Sequence, residues 1–137
     1  MGGIVQKKKK ESKNSVPQKK KILIIEDEKN IAKAEGLILG DAYHVSYAFD
    51  GAEGLTKIKK ERPDLIILDL MLPNRGGYDI CFHVRQNEAL KSTKILMVTA
   101  MNQAVDKTKG VMVGTDAYLT KPFEPDDLLA QVNKLLS

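Results

Sequence analysis

Three short apolar runs constrain the fold of this chain more than any other feature of its sequence. They are rich in β-branched residues and lie at Ile22–Ile25, Leu65–Leu68 and Ile95–Val98. An apolar run of about four residues between polar ones is typical of a strand that is buried on both faces. Strands of this kind occur in parallel sheets that helices cover on either side. The sequence therefore predicts an α/β sandwich.

Segments with the apolar spacing of amphipathic helices separate these strands. Ile31, Ala34 and Ile38 predict a helix from Asn30 to Leu39. The other predicted elements are a strand at His44–Ala48, a helix from Asp50 or Gly51 that stops before Pro63, a helix from about Gly77, a helix around Val105 and Val111, a short strand at Ala117–Thr120 and a last helix from Pro125. Five alternating strand–helix pairs predict a flavodoxin-like (βα)5 three-layer sandwich, whose parallel five-stranded sheet has the order 2-1-3-4-5.

The charge of the chain is divided between a basic N-terminal segment and a mildly acidic remainder. Residues 1–21 hold eight lysines and one acid, whereas residues 22–137 hold 14 basic and 17 acidic side chains. Because the segment has almost no apolar content, we predict a basic, disordered tail over residues 1–20 and a single domain over residues 21–137. A solvated tail is favoured over one that binds nucleic acid or lipid, since no aromatic residues are interleaved with the lysines.

The cysteine content and the hydropathy of the chain indicate its compartment. Cys81 is the single cysteine, which excludes an internal disulfide and a metal site built from several cysteines. No apolar run approaches the roughly 20 residues that a membrane span requires. We therefore expect a cytoplasmic protein without a membrane span.

Charged and hydroxyl side chains follow the predicted strands. In chain order they are Glu26, Asp27 and Glu28 after strand 1, Asp69 after strand 3, Thr99 after strand 4 and Lys121 after strand 5. In a sheet of order 2-1-3-4-5 the acids of strands 1 and 3 would meet at one edge, and Thr99 and Lys121 would converge on them. A single acid after a strand is more often a helix cap or a turn former, and this interpretation is favoured for Glu28.

The predicted cluster of carboxylates favours a metal ion and phosphoryl chemistry. Crowded carboxylates resist ionisation unless a cation joins them, and a few hard oxygen ligands suit a magnesium ion (Mg²⁺) better than zinc. Asp69 ends a rigid strand, so it could act as a nucleophile in aspartyl-phosphate chemistry. A metal, Lys121 and Thr99 could then stabilise the charge of the transferring group.

Four motifs in this order and at this spacing resemble a response-regulator receiver domain of the chemotaxis-regulator type: "ILIIEDE", "DLIILDLMLPNRGG", "ILMVTA" and "DAYLTKPF". The resemblance covers residues 21–137 and implies that Asp69 accepts a phosphoryl group from a histidine kinase or a phosphotransfer protein. It implies that Mg²⁺ is held by four groups: Glu26, Asp27, which is the closer ligand, Asp69 and the backbone carbonyl of Met71. It also implies that Thr99 and Lys121 bind the new phosphate and that Tyr118 is an aromatic switch.

The resemblance carries further expectations about the signal. Phosphorylation would alter a readout surface made of the fourth helix, the fifth strand and the fifth helix, and a downstream target protein that the sequence does not identify would bind there. The domain itself is not expected to bind DNA. It is not expected to be an enzyme, although it would catalyse its own phosphoryl transfer and a slow autodephosphorylation. The Lys121–Pro122 bond is expected to be cis.

Two departures from the family pattern modify these expectations. Positions 71 and 101 are both Met, and an apolar side chain cannot orient a water by hydrogen bonding, so we expect no unusually fast loss of phosphate. Gln131 stands where receivers that dimerise through the readout surface have Arg, which argues against dimerisation by the same salt bridges. The chain ends after the last predicted helix, so we expect either a stand-alone receiver without an output domain or a fragment of a larger regulator.

Two other classes of protein, a phosphatase and an FMN binder, are excluded, and one alternative function stays open. A haloacid-dehalogenase-type phosphatase needs a second Asp two residues after its nucleophile, where this chain has Met71. A flavodoxin-like FMN binder needs a hydroxyl-rich phosphate loop after strand 1, where "EDEKN" would repel phosphate. The open alternative is a phosphorylation-independent pseudo-receiver that acts as an interaction module.

Overall fold

Five parallel strands form one sheet in the computed structural model, which describes residues 18–73, 76–100 and 114–137. The strands are β1 (Lys21–Ile25), β2 (His44–Ala48), β3 (Leu65–Asp69), β4 (Lys94–Ala100) and β5 (Ala117–Lys121). Their order in the sheet is β2-β1-β3-β4-β5, and every neighbouring pair is parallel. The predicted order 2-1-3-4-5 is therefore confirmed.

Four α-helices lie in the described ranges of the chain. They are α1 (Lys29–Leu39), α2 (Gly51–Glu61), α3 (Gly77–Arg85) and α4 (Pro125–Leu136). None of these helices is long and apolar enough to cross a membrane. The helix predicted around Val105 and Val111 lies outside the described residues, as does the predicted tail except for residues 18–20.

The helices cover both faces of the sheet because the side chains of each strand alternate between two cores. In β1, Leu23 and Ile25 join a cluster that includes Ile58 of α2 and Ile80 of α3. The intervening residues of β1 face a second cluster, which α1 and α4 close with Ala32, Leu39, Leu128 and Val132. This arrangement confirms the three-layer sandwich, and it leaves the ends of the strands as the places where polar groups can gather.

The strands β3, β4 and β5 extend one or two residues beyond their predicted ends. Asp69 is the last residue of β3, Thr99 lies within β4, and Lys121 is the last residue of β5. Asp69 pairs in register with Val98, and Thr99 pairs with Thr120. These side chains are therefore attached to the rigid sheet and not to the loops that follow it.

The buried stripe of α1 is offset from the apolar positions that predicted this helix. The residues that are fully buried lie one position later in the chain: Ala32, Glu35 and Leu39. Of the three apolar positions, Ala34 is exposed and the other two are partly buried. A shift of one residue rotates a helix face by about 100°, so the helix was predicted correctly but the apolar pattern did not mark its buried stripe.

A close contact joins α1 to β2. Tyr47 of β2 lies against the backbone of α1 at Gly36, where an added Cβ would be 1.9 Å from the Tyr47 hydroxyl oxygen. A glycine lets an aromatic ring approach the helix backbone this closely. The apolar pattern of the helix does not encode this contact.

Arg85 fixes the point at which the chain enters β5. Its guanidinium donates hydrogen bonds of 2.8 Å to the Gly114 carbonyl, the Thr93 carbonyl and Asp116 Oδ2. Asp116 Oδ2 also accepts a 2.8 Å hydrogen bond from the Ile95 amide. The start of β5 is thus tied to both α3 and β4.

The start of α3 packs directly against the end of β3. The Gly77 amide donates a 2.9 Å hydrogen bond to the Leu70 carbonyl. A Cβ on Gly77 would lie 2.8 Å from the Asp69 carbonyl oxygen, whereas a Cβ on Gly76 would meet nothing within 4 Å. Two adjacent glycines therefore differ sharply in their tolerance of a side chain.

We predict that Gly77→Ala destabilises the protein by about 1–3 kcal/mol, because a backbone contact of this kind is relieved only by moving α3 away from β3. The matched control Gly76→Ala should change the free energy of unfolding by less than about 1 kcal/mol. Urea denaturation followed by circular dichroism measures both. Equal effects of the two substitutions would contradict the proposed close contact.

Candidate functional site

Three carboxylates meet at the carboxyl end of the sheet. Glu26 and Asp27 follow β1, and Asp69 ends the neighbouring strand β3. Each contributes an oxygen atom, and these three atoms lie within 4.8 Å of one another. Glu26 and Asp69 are buried, whereas Asp27 is exposed. The structure thus brings together the three acids that the sequence placed at this edge.

Lys121 reaches this cluster from the end of β5. Its Nζ atom donates a 2.7 Å hydrogen bond to Glu26 Oε1 and lies 3.9 Å from Asp69 Oδ2. Its side chain is 22% exposed, so the ammonium is shielded from bulk water. Lys121 therefore forms ion pairs with both buried carboxylates.

Backbone amides orient the second oxygen of each buried carboxylate. The Met71 amide donates a 3.1 Å hydrogen bond to Asp69 Oδ1, and the Glu28 amide donates a 3.2 Å hydrogen bond to Glu26 Oε2. Glu28 itself is the N-cap residue of α1, although its side chain makes no capping hydrogen bond. Both carboxylates are thus held between a backbone donor and the Lys121 ammonium.

The electrostatics of the site show an excess of negative charge. Burial raises the pKa of Glu26 against the opposing effect of its hydrogen bond with Lys121, and burial also raises the pKa of Asp69. Burial alone would lower the pKa of Lys121, but its hydrogen bond with Glu26 and the charges of the acids outweigh burial and raise it. A further cation would relieve this imbalance.

The donor set fits the magnesium ion that the family implies. Three carboxylate oxygens are hard ligands, and their small number leaves room for water. Burial raises the pKa values of Glu26 and Asp69, so a bound cation would stabilise their ionised forms. The described residues that could hold the ion are Glu26, Asp27, Asp69 and Met71 through its backbone carbonyl.

The sequence-based interpretation missed a third buried acid next to this site. Glu35 of α1 is 3% exposed, and its Oε2 atom is buried without a hydrogen-bond partner among the described residues. Burial and the neighbouring charge of Glu26 raise the pKa of Glu35 to about 7. A lone acid in an amphipathic helix usually lies on the solvent face. The signal in the sequence was the spacing of Glu35 from Ala32 and Leu39, which is that of a buried stripe.

Two further predicted residues, Thr99 and Tyr118, lie on β4 and β5. Thr99 is 1% exposed. Tyr118 is half-buried against the core that faces α2 and α3, and its hydroxyl is buried with no hydrogen-bond partner among the described residues. The Met71 side chain is 59% exposed, and Met101 lies outside the described residues. The Lys121–Pro122 bond is cis, as predicted.

Comparisons with known sequences identify the family of the chain. The family model of the response regulator receiver domain matches residues 22–133. The transcriptional regulatory protein DltR of Streptococcus agalactiae is 46% identical over 113 residues, which cover 82% of this chain and 50% of that protein. The response regulator ArlR of Staphylococcus saprophyticus is 44% identical over 117 residues, or 85% of this chain and 52% of that protein. The chain thus spans about half the length of these relatives.

Solved structures share the fold over most of the chain. A putative response regulator of Chloroflexus aurantiacus has a TM-score of 0.81 and 38% identity, with coverage of 87% of this chain and 98% of that one. The chemotaxis response regulator CheY4 of Vibrio cholerae has a TM-score of 0.80 and 35% identity, and the match covers 87% of this chain and all of that one (100%). Both neighbours support the fold and the strand order described above.

We predict that Glu35→Leu stabilises the protein when divalent cations are absent. The pKa of Glu35 is about 7 in the folded state and 4.5 in a model peptide. The folded protein therefore binds more protons than the unfolded chain between these values, and stability is lost as the pH rises through this interval. Above this interval Leu should raise the free energy of unfolding by on the order of 1–3 kcal/mol, with a much smaller gain below it.

Thermal denaturation at about pH 5 and about pH 8 in the presence of a chelator measures the effect. Glu35→Gln is the control, since it removes the ionisable group but keeps a buried polar side chain, and it should lose the part of the pH dependence that Glu35 contributes, with a smaller gain in stability. If Glu35→Leu keeps the pH dependence of the wild type, another group is responsible for it.

Proposed function

Because the chain belongs to the response regulator receiver domain family, we propose that it is a phosphorylation-dependent switch whose phosphoryl acceptor is Asp69. The observation that carries the proposal is the position of the Asp69 carboxylate. It ends a fully buried strand, lies 3.9 Å from Lys121 Nζ and is grouped with Glu26 and Asp27. The chain is a receiver domain of a two-component response regulator, and its donor would be the phosphohistidine of a histidine kinase or a phosphotransfer protein.

The proposed step is the transfer of one phosphoryl group. An oxygen of the Asp69 carboxylate forms a bond to phosphorus while the bond between phosphorus and the histidine nitrogen breaks, and the nitrogen leaves with the electron pair. The Met71 amide holds Asp69 Oδ1 in position, which reduces the entropy that must be lost before attack. Lys121 is close enough to Asp69 to pair with the phosphoryl oxygens that appear there.

The same site would hold Mg²⁺ through Glu26, Asp27, Asp69 and the Met71 carbonyl. The bound ion supplies positive charge that offsets the repulsion between the carboxylates and an incoming phosphoryl group. Glu26 is already fixed by the Glu28 amide, so its carboxylate needs little reorganisation to act as a ligand. Asp27 is the exposed member of the group and thus faces the solvent from which an ion would enter.

Phosphorylation would be read out through Thr99 and Tyr118. A phosphoryl group adds a charge of about −1.5 to −2 together with strong acceptor oxygens. Thr99 and Lys121 would gain partners in that state and bias an existing equilibrium. The Tyr118 hydroxyl is buried without a partner among the described residues. Burial of a polar group without a hydrogen bond is unfavourable in free energy, so this position of the ring is destabilising. The affected surface would comprise the predicted helix before β5, β5 itself and α4, and a downstream target protein would bind there.

The domain limits and the location of the protein belong to the same proposal. We place the receiver at residues 21–137, since β1 begins at Lys21 and the family match begins at residue 22. Cys81 is a free, buried thiol, which fits the cytoplasm, where thiols stay reduced. The relatives are about twice as long as this chain, so a stand-alone receiver and a fragment of a larger regulator both stay open as alternatives. The lack of DNA binding by the receiver stays a prediction.

We predict that incubation with acetyl phosphate and Mg²⁺ adds a single phosphoryl group to the wild-type protein, and that Asp69→Asn abolishes the adduct. Asn keeps the shape of the side chain but is a far weaker nucleophile than a carboxylate. Intact-mass spectrometry detects the adduct directly. Removal of Mg²⁺ with a chelator should also abolish it.

The control for this experiment is Asp126→Asn, which changes an exposed acid in the first turn of α4 and should leave the adduct intact. An adduct that persists in Asp69→Asn would place the acceptor elsewhere. If the wild type forms no adduct and binds no Mg²⁺, the chain acts as a phosphorylation-independent interaction module.

We predict a phosphate lifetime longer than seconds. The Met71 side chain is exposed beside Asp69 and has no group that could orient an attacking water. Met71→Gln should shorten the lifetime, whereas the apolar control Met71→Leu should leave it unchanged. The decay of the phosphorylated protein after removal of acetyl phosphate, followed by mass, gives the rate, and a wild-type lifetime of only seconds would contradict the prediction.

A further inference from the structure

The carboxyl group of Glu35 is the one buried ionisable group near the site, among the described residues, that the proposed function does not use. Glu35 lies on the face of α1 that packs on the sheet, it is 3% exposed, and its Oε2 atom has no hydrogen-bond partner among the described residues. A buried polar atom without a partner is destabilising. Glu35 is not a member of the group Glu26, Asp27 and Asp69, so it would act through the residues of that group and not as a direct ligand.

The charged and titratable groups around Glu35 come from the elements that pack near α1. The charges that act on it come from Glu26 after β1, Asp69 of β3 and Lys121 of β5. The neighbouring strand β2 contributes Tyr47, which contacts α1 at Gly36. The charged side chains that begin and end α4 are exposed: Asp126, Asp127 and Lys134.

We propose that Glu35 is a positioning residue of the acidic site, whose carboxylate strengthens cation binding and whose proton is released when the cation enters. This inference rests on the proposed function, because it assumes that the site takes up Mg²⁺. If Glu26, Asp27 and Asp69 are ionised, Lys121 leaves a net charge of −2 among these four groups, and an ionised Glu35 makes it −3. A divalent cation stabilises that additional negative charge, and by linkage the additional charge stabilises the bound cation.

The inference also gives Glu35 a role toward Lys121. The charge of Glu35 is one of those that raise the pKa of Lys121, and Lys121 in turn opposes the rise in the pKa of Glu35. When Glu26 becomes a ligand of the cation, its ability to hold the ammonium weakens. An ionised Glu35 adds negative charge that acts on Lys121, and the ammonium then stays at the site where Asp69 would receive the phosphoryl group.

The pH dependence of cation binding distinguishes this role from simple burial. The pKa of Glu35 is about 7 without a cation, and a nearby positive charge lowers the pKa of an acid. Mg²⁺ binding should therefore release a fraction of a proton from Glu35 near neutral pH, and affinity should rise with pH across this range. Burial also raises the pKa values of Glu26 and Asp69, so some pH dependence will persist without Glu35, and the difference between wild type and variant is the signature.

The test is isothermal titration of Mg²⁺ into the full chain, at about pH 6 and about pH 8, in two buffers of different ionisation enthalpy. The comparison between buffers counts the protons released for each ion bound. Glu35→Gln should bind Mg²⁺ on the order of threefold to tenfold more weakly at the higher pH. It should also release fewer protons near neutral pH than the wild type. Glu35→Asp, which retains the carboxyl group, should recover part of both effects.

A matched control and a second variant keep the outcomes distinct. Glu88→Gln neutralises a side chain that is 92% exposed and should leave affinity and proton release unchanged. If the wild type binds Mg²⁺ but Glu35→Gln is identical to it in affinity and proton release, the role of Glu35 is overturned while the proposed function stands. If the wild type binds no Mg²⁺, and Asp27→Asn is equally inert, the proposed function fails and this inference with it.

Discussion

The burial of the central strands on both faces is the constraint on which the rest of this structure depends. All five residues of β3 are buried, and β1 contributes four fully buried residues. A charged side chain in the middle of such a strand would lack both water and a partner. Ionisable groups can therefore enter the sheet only where the strands end, and parallel pairing brings the ends of β1, β3 and β5 to the same edge. The acidic cluster is thus a consequence of the topology as much as of the residues.

The cluster contains more negative than positive charge, and the folded chain does not neutralise the difference by itself. Lys121 is paired with Glu26 at 2.7 Å and lies near Asp69, and two backbone amides bind the remaining oxygens of these carboxylates. Even with these partners, burial keeps the pKa values of both acids above their usual range. A site of this kind responds strongly to any change of charge, and the addition of a cation or a phosphoryl group is such a change. The same electrostatics therefore provide both the proposed chemistry and the proposed switch.

The fold was largely predictable from the sequence because its strongest signals are local. Four-residue apolar runs identified the central strands, and Pro125 followed by acidic residues identified the start of α4. The predicted strand ends were one or two residues short, because Asp69, Thr99 and Lys121 are polar and a hydropathy pattern places polar residues in loops. The structure shows them attached to the sheet, where the pairing of neighbouring strands fixes their positions.

The convergence of the site residues was predictable only once the strand order was assumed, since no local pattern links residue 26 to residue 121. The face of α1 was not predictable in this way. The contact of Tyr47 with Gly36 is visible only in three dimensions. The apolar positions that predicted the helix, Ile31, Ala34 and Ile38, do not include Glu35, and the buried acid was therefore missed.

Glu35 shows how the stability of the fold and the chemistry of the site oppose each other at one position. The Ala32 and Leu39 side chains on the same stripe of α1 pack into the core, and an apolar residue between them would do so without a desolvation penalty. The carboxyl group instead lowers the free energy of unfolding of the cation-free protein, because its ionised form is buried beside two other acids. That same proximity makes its charge effective when a cation arrives, since electrostatic interactions are stronger where water is excluded. A leucine at this position would pack better in the core, but it would not strengthen cation binding. The loss of stability and the gain in cation affinity therefore have the same physical origin, which is the buried charge of Glu35.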